Sequence, residues 1–343
     1  MAVTLRDVAK ASGVSITTVS RVLNGRETGV PIREDTKARI FAAATDLGYK
    51  PNMLARGLRG SSSSLLGVLA RDVTDPFHIQ ILSGINECAR LRDYRLFLGH
   101  VDYRPDVAAD YGSMFERSHA DGIIVIGDIE GGDHALEVLA ERHKHVVGVT
   151  DRTGRRSVPG VYADSRIGTA SALEHLWELG HRQIICVSDT LTEDGRLRAQ
   201  LYETFMRDRG VAEHIQLYLP EMTFESSYQL GREVFSKFAS LRSVPTAIYA
   251  TSDTIAVGLL RAASEAGIGV PEQLSIVGYD DIDMAAFTIP PLTTVSQSGL
   301  EMGRAAATLL LRMISEKVER ADVDDIVLAP TLVIRESTAR APA

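Results

Sequence analysis

From Ser15 to Asn24 the chain reads S-I-T-T-V-S-R-V-L-N, short hydroxyl side chains and apolar ones grouped around a single arginine. That set suits a polyanion whose edges can be read. A hydroxyl or amide on a short stem donates one well-placed hydrogen bond to a phosphate oxygen, which makes Thr4, Ser15, Thr18, Ser20 and Asn24, together with Arg33, candidates for backbone contact. The guanidinium fork of Arg21 matches the O6 and N7 acceptors of guanine in a major groove, a contact worth about 1–3 kcal/mol of discrimination. Ile16 offers only apolar contact, which favours a thymine methyl.

Two short helices must position these groups. Thr4-x-x-Asp7 is a capping-box start with a carboxylate in the positive first turn. Leu5, Val8 and Ala9 then share one face, and Ser12-Gly13 ends the segment. Gly13 supplies the backbone angle of a tight turn, and Ser15 caps a second helix running to about Asn24. In it Val19, Val22 and Leu23 point inward, while Ile16, Thr17, Ser20 and Arg21 face outward. The pattern is a helix-turn-helix whose second helix enters a major groove. Thr4 and Ser15 serve as helix caps whether or not they also touch phosphate. Two ordinary helices of a small bundle would share the same caps and periodicity, so the following residues carry the decision. A third helix over 33–47, with Ile40, Ala43, Ala44 and Leu47 inward, completes a small core, and G-Y-K-P-N-M-L-A-R-G-L-R follows at 48–59.

Together, T-L-R-D-V-A-K-A-S-G-V-S-I-T-T-V-S-R-V-L-N-G and G-Y-K-P-N-M-L-A-R-G-L-R closely resemble the lactose-repressor (LacI) family of bacterial regulators. The resemblance puts Ile16 and Thr17 at the family's two variable base-reading positions. It makes 52–59 a hinge helix capped by Asn52, with Ala55 and Arg59 also facing DNA and Leu58 an apolar wedge in the minor groove. Gly57 costs such a helix roughly 1 kcal/mol against alanine, so the segment folds only with its dimer mate and DNA. The plainer reading of 52–59 is an amphipathic linker whose Leu58 packs on the body.

Charge divides the chain the same way. Residues 1–60 hold 10 Lys+Arg against 5 Asp+Glu, a net of +5, and the remainder nets −13. A basic head on an acidic body confines polyanion contact to the head. The two cysteines, Cys88 and Cys186, are far apart and read as reduced, buried small hydrophobes. No apolar signal region opens the chain, and no apolar run approaches the roughly 20 residues of a membrane span. The expected location is the bacterial cytoplasm, on the nucleoid when DNA is bound.

Beyond the Ser61–Ser64 run, apolar strands at 65–70, 95–101, 122–126, 145–150, 184–188, 247–250, 275–279 and 293–296 alternate with amphipathic helices. The helices include 76–92, 165–179, 198–209, 226–241 and 254–266. Such alternation gives parallel sheets with right-handed crossovers, and so many strands favour two sheets in two lobes. The family resemblance continues through G-V-L-A-R-D-V-T-D-P-F (67–77), A-D-G-I-I-V (120–125), T-D-R (150–152), V-G-Y-D-D (277–281) and P-P-L-T-T-V (290–295). It implies a helix-turn-helix head (1–48), a hinge helix (49–60) and an α/β two-lobed body of the type I periplasmic-binding-protein kind (61–343) that binds effector and dimerises. The lobes are expected at about 61–162 with 292–323 and about 163–291 with 324–340, crossing near 161–165, 290–293 and 322–326. The added apolar heptads of tetrameric members are missing, which implies a homodimer.

In such a body the ligand sits where the carboxyl ends of the strands converge. Asp280 follows a strand, and a buried aspartate suits two sugar hydroxyls. Arg198 occupies the family's ligand-facing arginine, in R-x-x-L-Y where R-x-x-G-aromatic is usual, and Asp72, Phe77, Asp128, Asp151 and Gln297 complete the set. Three departures bear on the ligand. Thr251-Ser252-Asp253 stands for the usual Ala-Asn-Asp, so Ser252 replaces an amide. The stacking aromatic falls on Met222, with Phe224 two residues later. Arg71 replaces a common proline. Less stacking and an extra cation argue against a purine or a plain aromatic-stacked sugar and leave open a sugar acid or another small polar molecule.

The expectation is a homodimeric regulator, most simply a repressor, of a pseudo-palindromic operator, controlled by a small effector in the interlobe cleft and needing no cofactor or metal. The rival is a sugar-binding or sugar-modifying protein built on the same body. Against an enzyme, the chain holds no nucleophile elbow, phosphate loop, dinucleotide fingerprint or metal-spaced His/Cys set, and none of its 9 His falls in a catalytic arrangement.

Overall fold

A computed structural model describes residues 3–23, 31–49, 63–102, 104–128, 133–150, 158–189, 192–219, 223–238 and 244–342. The chain divides into two compact units, Met1–Ser63 and Ser64–Ala343. The expected hinge helix, and with it Asn52, Ala55, Leu58 and Arg59, falls outside the described residues, as do Asn24, Asp151 and Met222.

Among the described residues the first unit holds three helices: α1 (Leu5–Ser12), α2 (Ile16–Leu23) and α3 (Glu34–Asp46). Gly13 ends α1 at φ 70°, a left-handed angle that glycine adopts without a Cβ penalty. Val8, Ala9, Val19, Val22, Ile40 and Ala44 form the core. Leu47, expected inward, is 38% exposed, because α3 stops at Asp46 and leaves Leu47 past the last full turn.

Among the described residues the second unit holds two six-stranded sheets. Strands β1 (Leu65–Ala70), β2 (Arg95–His100), β3 (Gly122–Ile126), β4 (Val146–Val149), β5 (Gly160–Ala163) and, late in the chain, Ile326–Leu328 form the first. The second contains β6 (Ile184–Val187), β7 (Leu217–Tyr218), β8 (Ala247–Ala250), β9 (Ser275–Asp280), β10 (Thr293–Ser296) and Thr331–Val333. The late strands are β11 (326–328) and β12 (331–333). Among the described residues every pairing is parallel except β10 with β12. β3, β4, β6 and β8 are buried throughout, as strands covered on both faces must be, which is why they read as continuous apolar runs.

Among the described residues eight helices pack on the sheets: α4 (Pro76–Arg90), α5 (Pro105–Arg117), α6 (Asp133–Arg142), α7 (Ser165–Glu178), α8 (Glu193–Asp208), α9 (Phe224–Phe238), α10 (Asp253–Ala266) and α11 (Gly299–Glu316). α4 and α11 approach backbone to backbone. A Cβ on Gly84 would lie 2.0 Å from the Leu300 carbonyl oxygen, and one on Gly303 would lie 2.0 Å from that of Ile81. α8 begins five residues before the expected Arg198, because the Thr192 hydroxyl caps it by accepting from the Gly195 N–H at 2.9 Å.

The chain crosses between sheets three times. The first crossing, between Ala163 and Ser165, falls within the expected 161–165. The second follows Ser296 rather than lying at 290–293, since β10 pairs with β9 from Thr293 onward. The third lies between Leu328 and Thr331 rather than at 322–326, since β11 still pairs with β5. The lobes are therefore residues 64–163 with 297–329, and 164–296 with 330–342. No helix among the described residues is long and apolar enough to cross a membrane. Cys88, in α4, and Cys186, in β6, are both buried and unbridged.

Candidate DNA-reading face and effector cleft

On the head, α1 begins as its sequence dictates. The Asp7 carboxylate accepts from the Thr4 N–H at 2.8 Å and the Thr4 hydroxyl at 2.7 Å, bonds that hold its pKa below the ordinary value. The Ser15 hydroxyl accepts from the Thr18 N–H at 3.1 Å and shares a 2.8 Å hydrogen bond with the Thr18 hydroxyl. With Val19 and Val22 buried, the opposite face of α2 carries Ile16, 42% exposed, and Thr17, also exposed, with Thr18, Ser20 and Arg21 half-buried at its margin. Arg33 is exposed at the N-terminus of α3. A four-carbon apolar side chain facing water beside hydroxyls and a guanidinium is a surface shaped for base edges.

In the body, residues just past the carboxyl ends of the strands meet between the lobes. Arg71 follows β1, Asp128 lies two residues beyond β3, Thr150 follows β4, Asp189 lies two beyond β6, Thr251 and Ser252 follow β8, and Asp280 ends β9. The inner cleft is lined by these except Asp128, together with Asp75, Phe77, His78, Thr192, Asp194, Arg198 and Gln297. Its cavity is about 30 Å³.

Arg198 is the hub of the second lobe. Its guanidinium carbon stacks 3.7 Å from the centre of the Tyr279 ring, and Nη1 donates to the Thr251 carbonyl at 2.9 Å. Asp280 lies 3.6 Å from it and Asp194 3.9 Å. Burial opposes the arginine's charge, yet Tyr279, Asp194 and Asp280 hold its pKa above the ordinary value. Burial drives the Asp280 carboxyl well up, against the pull of Arg198, and raises Asp194 likewise. Asp280 accepts from the Gln297 amide at 2.7 Å. Its φ is 116° and that of Asp281 is 57°, two successive non-glycine residues outside the usual region. Such strain persists where surrounding structure over-determines it, as at ligand sites.

The first lobe supplies a matching set that the sequence pointed to only in part. Arg71 pairs with Asp128 and lies 3.7 Å from Asp75, the carboxylate that caps α4 by accepting from the Phe77 N–H at 2.9 Å. His78 donates from Nδ1 to the Asp72 carbonyl at 2.9 Å, so the neutral ring turns Nε2 toward Arg71 Nη2 at 3.4 Å. Burial lowers the His78 pKa, Asp75 opposing it, and the ring is neutral near pH 7. Asp128 also accepts from the Glu193 N–H at 3.0 Å, a bond that joins the lobes. A second interlobe bond runs from the Gln80 amide to the Asp281 carbonyl at 3.0 Å.

Of the residues singled out in the sequence, Arg198, Asp280, Gln297, Phe77 and Ser252 line the inner cleft, and Asp128 stands at its edge. Two others do not. Asp72 turns its carboxylate to the Thr74 N–H and hydroxyl, both at 2.7 Å. Phe224 is 39% exposed in the first turn of α9 and lines neither cavity. Ser252 lines the cleft, but its hydroxyl caps α10, accepting from the Ile255 N–H at 3.3 Å. Asp75, His78, Asp189 and Asp194 were not singled out beforehand. D-P-F-H and T-E-D-G, each opening a helix just past a strand, were the available signals.

Residues 4–52 match the bacterial regulatory proteins of the lacI family, and residues 173–338 match the periplasmic binding protein-like domain. Over 341 residues the chain is 34% identical to the HTH-type transcriptional regulator DegA of Bacillus subtilis, covering 98% of each protein. The chain belongs to the LacI family. Its relatives there are transcriptional regulators, not enzymes. The lac repressor dimer bound to operator and the anti-inducer ONPF superposes with a TM-score of 0.85 at 25% identity, covering 99% of this chain and all of that one. A LacI family regulator from Enterococcus faecium with bound ribose gives 0.71 at 26% identity, covering 81% of this chain and all of that one. This LacI-family chain is accordingly a DNA-binding transcriptional regulator with a two-lobed periplasmic-binding-protein-like body.

Proposed function

We propose that the chain is a repressor which, as a homodimer in the bacterial cytoplasm, reads a pseudo-palindromic operator through the exposed face of α2 and releases or retains it according to a neutral sugar in the interlobe cleft. Ile16, Thr17 and Arg21 read base edges, while Thr4, Ser15, Thr18, Ser20 and Arg33 contact phosphate. Asn24, Asn52, Ala55, Leu58 and Arg59 join them on the strength of the sequence resemblance. In the cleft, Asp280 accepts from two sugar hydroxyls, Arg198 and Gln297 hold its other side, and Phe77 offers an apolar wall.

One observation carries the choice of a neutral ligand over a sugar acid. The cation that left an acid open, Arg71, is engaged by Asp128 and Asp75. Across the cleft and its mouth the cations are Arg71, Arg196 and Arg198, against Asp75, Asp128, Asp189, Glu193, Asp194 and Asp280. Even leaving aside Asp194 and Asp280, whose carboxyls burial pushes up, four carboxylates face three cations. A further anion would enter a field of its own sign at low dielectric. Polyhydroxyl groups instead satisfy buried carboxylates by donating hydrogen bonds.

The ribose-bound relative supports a sugar of this class. The test is a thermal-shift and operator-release screen pairing each neutral sugar with its acid, glucose with glucuronate and galactose with galacturonate. Neutral sugars should shift unfolding and alter operator affinity, and their acids should not. Binding confined to the acids would overturn the charge argument.

A further inference from the structure

The first turn of α4 faces the cleft, which Phe77 and His78 line. Gln80 follows on the same helix, half-buried, and lines neither the cleft nor its mouth. Its side chain reaches across the lobes instead. Nε2 donates to the Asp281 carbonyl at 3.0 Å and to the Asp283 carboxylate at 3.1 Å, both in the second lobe. A primary amide carries two N–H groups, so each acceptor takes its own. α4 is a firm base for these bonds, because Gly84 and Gly303 let it pack backbone to backbone on α11.

The receiving turn is held as firmly. The Asp281 carbonyl and the Ile282 N–H belong to one peptide group. Gln80 binds its oxygen from the first lobe, while its N–H donates to the buried Asp253 carboxyl of the second lobe at 2.9 Å. The Asp281 carboxylate accepts from Arg335 at 2.6 Å, and Arg335 is itself tied to the Leu292 carbonyl at 2.8 Å. Asp280 and Asp281 hold φ at 116° and 57°, so this peptide plane sits in a sparsely populated geometry that its partners enforce. Asp280, one residue back, belongs to the cleft.

We propose that Gln80 is a latch outside the effector site: its amide ties the lobes together through Asp281 and Asp283, and so sets how often the body opens while the cleft is empty. Asp280 and the latch acceptor adjoin on one strained turn, so a contact that draws on Asp280 also moves the carbonyl that Gln80 holds. The other interlobe bond, from the Glu193 N–H to Asp128, shares no residue with the latch. Glu193 opens α8, and the first N–H groups of a helix have no partner within it. That amide is therefore a remote reporter of opening.

Hydrogen–deuterium exchange at the Glu193 amide tests the latch, in the full chain free of sugar and DNA, because the rate follows the open fraction. Gln80→Ala should speed it about fivefold or more, the scale set by losing a hydrogen bond to a charged group. Gln80→Glu sets carboxylate against carboxylate and should speed it further. Gln80→Lys keeps a donor, adds a charge complementary to Asp283, and should slow it. Adding Asp283→Lys to Gln80→Glu reverses the pair and should bring the rate back to within about twofold of the wild type. Exchange at Glu193 that is the same in every variant, or that rises with Gln80→Glu and is not rescued by Asp283→Lys, would overturn the latch. Operator affinity of the same variants gives the second readout, and it rests on the reading of the chain as an effector-controlled repressor. Under that reading Gln80→Glu and Gln80→Lys should move it in opposite directions. Exchange in the stated order with operator affinity unmoved would keep the latch and count against the repressor reading instead.

Discussion

The head and the cleft hold their polar groups in opposite ways. On α2 the candidate reading residues lie within seven positions, at or near the surface, around a core of six buried apolar residues. Ser15 and Thr18 share hydrogen bonds, but Ile16 and Thr17 face outward and can change with little consequence for the others. In the cleft the polar groups come from positions 71 to 297, are mostly buried, and neutralise one another. Removing one strands its partners. A surface that reads DNA can therefore vary one residue at a time, whereas the cleft changes as a set.

Arg198→Ala tests that contrast most severely. It leaves Asp280 and Asp194 without their cation, and breaking a buried pair in this way costs about 3–5 kcal/mol. Denaturant unfolding should show a loss of that order in the body, with the head's DNA affinity retained. A loss under 1 kcal/mol would mean that the cleft charges do not depend on one another.

Asp253 sharpens the contrast through pH. Its carboxyl is fully buried, accepts from the Thr294 hydroxyl at 2.5 Å and the Ile282 N–H at 2.9 Å, and is pushed up to about 7, chiefly by burial. Because the folded pKa is raised, its contribution is complete below the unfolded value near 4 and is lost as pH climbs through about 7. The rise corresponds to roughly 4 kcal/mol. Asp253→Asn mimics the protonated form, so against this variant the wild-type body should lose stability from pH 4 to 7. Parallel pH profiles for the two proteins would remove the account.

How legible each region was follows from the same contrast. The reading face declares itself in the sequence because helix periodicity and caps act over three or four residues. Ser15, Val19 and Val22 fall as the spacing predicts. In the body, continuous apolar runs revealed the buried strands, but the short strands 160–163, 217–218, 326–328 and 331–333 carry little pattern of their own. The second and third crossings were therefore misplaced, since only pairing decides to which sheet Thr293 or Ile326 belongs. Arg198 and Asp280 were visible through motif likeness. Asp128 was visible in the same way, whereas Asp75 was not, because in the sequence it reads only as the cap of a helix and the fold alone brings it to Arg71. Asp72 shows the reverse case, a motif residue whose side chain is spent on its own turn.

Arg21→Ala belongs to the independent side of the comparison. It should cost about 1–3 kcal/mol on the preferred operator and relax preference at one base pair per half-site, with little change on random DNA. Competition binding against both sequences measures it. Equal losses would make Arg21 a backbone contact.

The smallest effect concerns Ser15, where one hydroxyl has two candidate roles. As a cap it accepts from the Thr18 N–H at 3.1 Å. As a phosphate ligand it would serve DNA without reading it. The two separate because glycine at a cap costs only a few tenths of a kcal/mol, whereas alanine costs about 1. Ser15→Ala should lower the head's unfolding free energy by roughly 1 kcal/mol, and Ser15→Gly by much less. Both lose the hydroxyl. If it binds phosphate, the two variants lose operator affinity equally, by about 1 kcal/mol, and lose as much on random DNA. We expect that equality. Affinity that instead follows stability, with Ser15→Gly binding like the wild type, would leave Ser15 a cap alone, and phosphate contact at this end of α2 would then fall to Thr18 and Ser20.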